Sequence, residues 1–352
     1  MTKELRVGLL GYGFAGRTFH APVIRSVPGL KLAKVLERRT SLSKERYPWV
    51  EVTDQVSELY GDDSIDIIVV ATPSTNHFEF VRDALLAGKH VVVEKPFVPT
   101  AEEADELIAL AGRKGKMLSI FHNRRWDGDF LTIQKLLRQG LLGQIMECEF
   151  HWDGFDPVMN PGNWRETAGQ GAGVFYDLGA HFIDQALCLF GVPDTIGADV
   201  RVQREGALAH DYFDVTLGYA SGLKVNLKSS RFIREQGPRY LVFGKNGTFV
   251  KYGTDPQESA LINGAMPATA SDWGKEPESC WGRLNTSAFG LHFNGLVETL
   301  PGCYHSYYQN IYDHLTNGAE LAVKPEEART NIRLIELALQ SHTEGKTLPV
   351  TL

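Results

Sequence analysis

The sequence predicts an α/β protein with two parts: a doubly wound parallel sheet, then an α/β domain with an open, mainly antiparallel sheet. Three observations predict it. In the first third, short continuous apolar runs alternate with helical patterns, as strands covered on both faces require. Beyond His122 the runs lengthen and alternate apolar with polar residues, as when one sheet face is buried and the other wet. The length of 352 residues suits about two domains, so the expected division is 1–122 for binding a dinucleotide and 123–352 for substrate binding and oligomer formation.

The expected parallel strands are 5–10, 30–36, 65–71, 90–94 and 117–121, with helices over 14–27, 75–87 and 100–114 between them. The alternating runs are 145–152, 212–219, 223–230 and 239–252, the last folded at Asn246-Gly247, a strong hairpin signal. Residues 174–190 read as one helix between G-Q-G-A-G and G-V-P. Residues 254–300 are rich in Gly, Pro, Ser and Asn and read as a lid or interface loop. A last helix starts near Pro325-Glu326-Glu327, with proline in its first turn and acids at the positive end of the dipole.

A net charge of −7 argues against a nucleic-acid binder. Cys148, Cys188, Cys280 and Cys303 are scattered, which suggests neither a disulfide framework nor a zinc site. No apolar run approaches the roughly 20 residues that cross a bilayer, and the N-terminus runs straight into a strand-like segment. The expectation is a cytoplasmic protein with no membrane partner.

G-Y-G-F-A-G carries Gly11, Gly13, Phe14 and Gly16 between the first strand and the first helix. The first glycine permits a tight turn, the second lets a pyrophosphate approach the backbone, and the third packs helix on sheet. That context makes a Rossmann dinucleotide site the favoured reading over a plain turn. Glu37 lies 21 residues after Gly16, near the offset at which an acid holds the ribose 2′-hydroxyl of NAD. Arg38 and Arg39 follow at once, and a guanidinium there pairs with the 2′-phosphate of NADP. The residues conflict. Two arginines outweigh one acid if Glu37 points away from the ribose, so the expected cofactor is NADP, with NAD the alternative.

Glu94, Lys95 and Pro96 follow an apolar strand, at the sheet edge where ligands of parallel sheets bind. Thr72, Pro73 and His77, in A-T-P-S-T-N-H, end the preceding strand in the same layer and could line the nicotinamide side. On the helix 174–190, Asp177, His181, Asp184 and Cys188 fall on one stripe of an otherwise apolar surface. A solvent stripe carries Lys, Glu, Gln or Arg, and this one has none, so it reads as the wall of a cleft. A metal needs three or more ligands. His122 and His151 lie in unrelated contexts, and no metal is expected.

In chain order, G-Y-G-F-A-G, A-T-P-x-x-x-H, E-K-P and Y-D-L-G-A-H-F-I-D resemble the glucose–fructose oxidoreductase and inositol dehydrogenase family, Gfo/Idh/MocA, over essentially the whole chain. H-N-R-R-W-D-G-D-F, G-P-R-Y, K-Y-G-T-D-P-Q-E and D-W-G look like its branch of NADP-dependent scyllo-inositol dehydrogenases. The resemblance implies a Rossmann domain followed by a domain with a large open sheet. It implies hydride transfer between a sugar or cyclitol carbon and a nicotinamide. Lys95, Asp177 and His181 match its catalytic residues. His181 suits the base, with an ordinary pKa near 6.5. Lys95 can hold the reacting oxygen, and Asp177 can orient Lys95 or the substrate. Arg124, Arg125, Trp126, Trp164 and Arg165 are candidates for the substrate pocket, tryptophan for a ring face and arginine for hydroxyls. Glu37 departs from the branch, where a small polar residue is expected. Two other classes fit less well: a glycosidase that retains NAD and needs no net reductant, and a non-catalytic NADP-binding regulator. The wet sheet face suggests a homodimer or homotetramer.

Overall fold

The computed structural model describes residues 3–159 and 171–352. The chain forms two compact units. The first joins Met1–Trp126 to Pro256–Trp273 and Cys303–Arg329, and the second comprises Asp127–Asp255, Gly274–Gly302 and Thr330–Leu352.

In the first unit, β1 (Leu5–Leu10), β2 (Leu30–Leu36), β3 (Glu51–Thr53), β4 (Ile67–Val70), β5 (His90–Val93) and β6 (Leu118–Ile120) form a parallel sheet of order β3-β2-β1-β4-β5-β6. Val91, Val92, Val93 and all of β4 are fully buried, as a sheet covered on both faces requires. The short edge strand β3 has no counterpart among the expected strands. The order reverses between β1 and β4, and ligands of such sheets bind at that switch point. Helix α5 (Ala101–Lys114) carries a reciprocal cap between Thr100 and Glu103.

The chain leaves this unit at Trp126, near the expected division at 122/123, yet the rest is not contiguous. The reason is α9 (His305–Asn317), whose apolar face completes the first unit. Tyr307 donates to Ser119 Oγ at 3.0 Å and Tyr312 to the Lys3 carbonyl at 3.0 Å. Tyr307, Tyr308 and Ile311 are fully buried there.

The second unit is built on a nine-stranded sheet of order β14-β13-β12-β11-β7-β10-β9-β8-β15. Its strands are β7 (Ile145–His151), β8 (Thr195–Arg201), β9 (Tyr212–Gly218), β10 (Lys224–Ser229), β11 (Tyr240–Gly244), β12 (Gly247–Lys251), β13 (Gly282–Ala288), β14 (Leu291–Val297) and β15 (Leu348–Pro349). Only β7 and β10 pair in parallel. Cys148, Phe150, Phe213, Val215, Val225 and Leu227 are buried on one face. The other face carries Glu147, Asn226 and Thr216, joined by hydrogen bonds of 3.0 Å.

Residues 254–300 correct the loop expectation. They contain α8 (Gln257–Ile262) and the hairpin of β13 and β14. In β13 the buried positions include Gly282 and Thr286, so the apolar alternation that marks a strand is muted.

Candidate active site

The first site lies at the switch point. Gly11 has φ +101°, a left-handed conformation, and an added Cβ would stand 2.9 Å from the Ala71 carbonyl oxygen. At Gly16 a Cβ would fall 2.1 Å from the Gly11 carbonyl oxygen, so turn and helix touch there. At Gly13 a Cβ would meet nothing within 4 Å. That space opens on a cavity of about 490 Å³ lined by Gly11, Gly13, Leu36, Arg38, Arg39, Thr72 and Pro73 among others. The residues fit a dinucleotide: an open backbone cradle, basic groups at one end, and the apolar ring of Phe80 in the wall. A helical run over 14–25 follows, π-wound over Gly16–His20 and ending in α1 (Ala21–Arg25). Phe14 lies outside the cavity lining; it is half-exposed and edge-on to Phe19 at 5.6 Å.

Glu37 borders the cavity, but its carboxylate is occupied. Oε2 accepts from Thr40 Oγ1 at 2.7 Å and Leu42 N at 2.9 Å, and Oε1 accepts from Ser43 N at 2.9 Å. The two backbone donors open α2 (Leu42–Arg46), a helix without a cap from its own N-cap side chain. Burial pushes the Glu37 carboxyl up, and the donors outweigh it, holding the group below its ordinary value. Arg38 and Arg39 are exposed and have no hydrogen-bond or ion-pair partner among the described residues.

The turns after β4 and β5 are tied together by His77, which is buried. Its Nδ1 lies 2.9 Å from the Pro96 carbonyl and 3.1 Å from that of Phe97, and its Nε2 lies 3.0 Å from that of Thr72. His77 thus shapes the cavity wall from behind, while Thr72 and Pro73 line it. The Lys95–Pro96 peptide is cis. Lys95 is half-buried, and its backbone N–H donates to Glu94 Oε2 at 3.0 Å. Glu94 Oε1 meets His20 Nε2 at 2.9 Å, and His20 Nδ1 meets Tyr308 Oη at 2.6 Å. His20 and Tyr308 were not expected. Nothing local marks them, because their partners lie 74 and 288 residues away along the chain.

Burial pushes the Glu94 carboxyl up, and His20 outweighs it, keeping the group below its ordinary 4.5. A depressed folded-state pKa adds stability above the unfolded value, lost as pH falls through the folded one. Thermal midpoints between pH 3 and 7 are therefore expected to fall more steeply at the acid end for the native chain than for Glu94→Gln.

In the second unit, a π-turn at Phe175–Gly179 runs into α7 (Ala180–Phe190), matching the helix expected over 174–190. Short π-turns inside α-helices concentrate at functional sites, and among the described residues one begins at the last glycine of G-Y-G-F-A-G and the other overlaps Y-D-L-G-A-H-F-I-D. Gly179 has a packing reason: a Cβ there would stand 2.4 Å from the Phe175 ring. His181 and Asp184 are buried at 4% and 2% exposure, Asp177 is half-buried, and Cys188 is exposed. The stripe is therefore interior at its middle, partly open at Asp177 and exposed at Cys188. Phe182 packs edge-on to Phe150 at 5.8 Å, which holds α7 to the sheet.

A cavity of about 250 Å³ within this unit is lined by His151, Trp152, Asp153, Arg239 and Thr254 among others. The buried Arg239 guanidinium stacks over Trp152 at 3.9 Å and lies 3.6 Å from Asp129 Oδ2. Asp153 and Glu149 flank the His151 ring at 3.3 and 3.0 Å and raise its pKa above the ordinary 6.5. Arg239 was legible only as part of G-P-R-Y.

Arg124 is buried, pairing with Glu258 at 2.5 Å and lying 3.5 Å from Tyr304 Oη. Arg125 pairs with Glu327 at 2.9 Å. Trp126 is edge-on to Tyr307 at 5.7 Å. These contacts are framework of the first unit. Trp164 and Arg165 lie outside the described residues. Among the described residues, no group of three or more His, Cys, Asp or Glu is placed to hold a metal, and no helix is long and apolar enough to cross a membrane.

Two family models match the chain: the NAD-binding Rossmann fold of the Gfo/Idh/MocA oxidoreductases over residues 5–122, and their C-terminal alpha/beta domain over 134–352. The chain is 41% identical to the uncharacterized oxidoreductase YdgJ of Escherichia coli, covering 99% of both. It is 40% identical to the scyllo-inositol 2-dehydrogenase (NADP(+)) IolW of Bacillus subtilis, covering 98% of this chain and 95% of that one. The solved structure of yvaA from Bacillus subtilis superposes with a TM-score of 0.96 at 38% identity, covering 100% of this chain and 99% of that one.

Proposed function

This chain belongs to the Gfo/Idh/MocA family of NAD(P)-dependent oxidoreductases, and we propose that it interconverts a secondary alcohol and ketone of a cyclitol or sugar with NADP(H). Scyllo-inositol and its inosose are the reference pair, supported by the near full-length likeness to IolW. One observation carries the cofactor choice. The acid that would hold the ribose of NAD has both carboxylate oxygens occupied, while two arginines beside it stay available to a phosphate.

Gly11, Gly13, Gly16, Thr72 and Pro73 would hold the dinucleotide, and Arg38 and Arg39 its 2′-phosphate. The nicotinamide ring, when bound, supplies or accepts the hydride. His181 moves the hydroxyl proton, as base in oxidation and acid in reduction. Lys95 steadies charge developing on the reacting oxygen, and Asp177 orients the substrate. The polar face of the nine-stranded sheet supports self-association.

The test is a screen at 340 nm with NADP and NAD against inositols, hexoses and their keto forms, with light scattering on the same sample. Turnover of scyllo-inositol or its inosose, faster with NADP, is expected, with a mass above the 39.1 kDa of one chain. A clearly lower KM for NAD would sink the cofactor choice, and no turnover with any polyol would sink the substrate class. A mass of one chain would sink self-association.

A further inference from the structure

We propose that Glu37, which its spacing marks as the acid for the ribose of NAD, instead builds the 2′-phosphate site of NADP by fastening the loop that carries Arg38 and Arg39. The inference rests on the NADP reading above and assigns Glu37 the opposite sign from the one its position suggests.

The argument starts from the backbone. Glu37 directly follows β2, and its own N–H donates to the Thr53 carbonyl at 2.9 Å, so the residue is fixed to the sheet. Its carboxylate then reaches forward to residues 40, 42 and 43 through three hydrogen bonds of 2.7 to 2.9 Å. The segment between, Arg38 to Ser41, is thereby closed into a small loop pinned at both ends. Both arginines lie in this loop and face the cavity that begins at Gly11 and Gly13. Without the clamp, ordering the loop would be deferred to the moment of binding, and affinity would fall by that cost.

The alternative is repulsion. An ionised acid beside a phosphate weakens its binding, so on that view removing the charge strengthens it. Glu37 differs from a ribose-binding acid in that its lone pairs are aimed at Thr40 and the start of α2, and the side chain is only 7% exposed. Its charge is spread over three hydrogen-bond donors. The two models predict opposite signs for one substitution.

The test is isothermal titration of the purified full chain with adenosine 2′,5′-bisphosphate and with 5′-AMP, which differ only in the 2′-phosphate. The native chain is expected to bind the bisphosphate at least about tenfold more tightly, as charge-assisted pairs with arginine allow. Equal affinities would sink the NADP reading itself. Given a preference, Glu37→Gln is expected to weaken the bisphosphate about tenfold and leave 5′-AMP within about twofold. Unchanged or tighter binding of the bisphosphate overturns the proposal. Glu37→Asp keeps the charge but shortens the reach to residues 42 and 43. It is expected to weaken the bisphosphate as well, whereas repulsion predicts no change. In an Arg38→Ala/Arg39→Ala background, Glu37→Gln is expected to have no further effect. A full additional loss there would mean that Glu37 does not act through the arginines.

Discussion

Lys95→Ala is expected to lower kcat/KM for the best polyol substrate by about 1000-fold, the scale of losing a group that stabilises developing charge. The expectation comes from position. Lys95 follows β5 at the carboxyl edge of the parallel sheet, where ligands of such folds sit. Its backbone is fixed by the Glu94 carboxylate, which is held in turn by His20. Fluorescence titration with NADPH is expected to show affinity within about threefold of the native chain, because the phosphate cradle does not involve Lys95. Lys95→Arg keeps the charge but replaces a compact ammonium with a planar fork, and should recover only part of the rate. An alanine variant within about tenfold of native turnover would remove Lys95 from the catalytic residues.

Gly13→Val and Gly16→Ala are expected to fail in different ways. At Gly13 nothing lies within 4 Å of an added Cβ, so valine should leave the thermal midpoint of the ligand-free chain unchanged. The same methyls occupy the path of the pyrophosphate to the backbone. NADPH affinity should drop by about 100-fold, or about 2.7 kcal/mol. At Gly16 the added Cβ would stand 2.1 Å from a carbonyl oxygen, and backbone must move. The expected loss is about 3 kcal/mol of stability in the ligand-free chain, the upper range for overpacking, read by urea unfolding. If Gly13→Val lowered stability as much as Gly16→Ala, the open cradle would not be open.

Much of this was legible because parallel strands buried on both faces read as continuous apolar runs, as at β4 and β5. The mixed sheet was legible where alternation is strong, as in β9 to β12. It was not legible in β13, where glycine and threonine hold inward positions. In the parallel sheet, β3 was not legible either, being only three residues long and on an edge. The Asp177 stripe reads in the sequence as the wall of a cleft; in the structure His181 and Asp184 are buried and Cys188 is exposed. The need for glycine at 179, room for the Phe175 ring, is a matter of space that sequence does not display. The conflict among Glu37, Arg38 and Arg39 could be stated from the sequence but not resolved. Its resolution depends on where two carboxylate oxygens point. His20 stayed invisible because its partners sit 74 and 288 residues away.

The return of the chain to its first unit also sets an order of assembly during synthesis. The ribosome delivers all six parallel strands early, but Tyr307, Tyr308 and Tyr312 arrive only with α9, after most of the second unit. Until then, His20 lacks its tyrosine partner and the apolar surface that α9 covers faces water. The nascent dinucleotide fold therefore waits, incomplete, while nearly all of the second unit is made. Contacts spanning hundreds of residues close slowly, and the waiting surface is of the kind that chaperones shield.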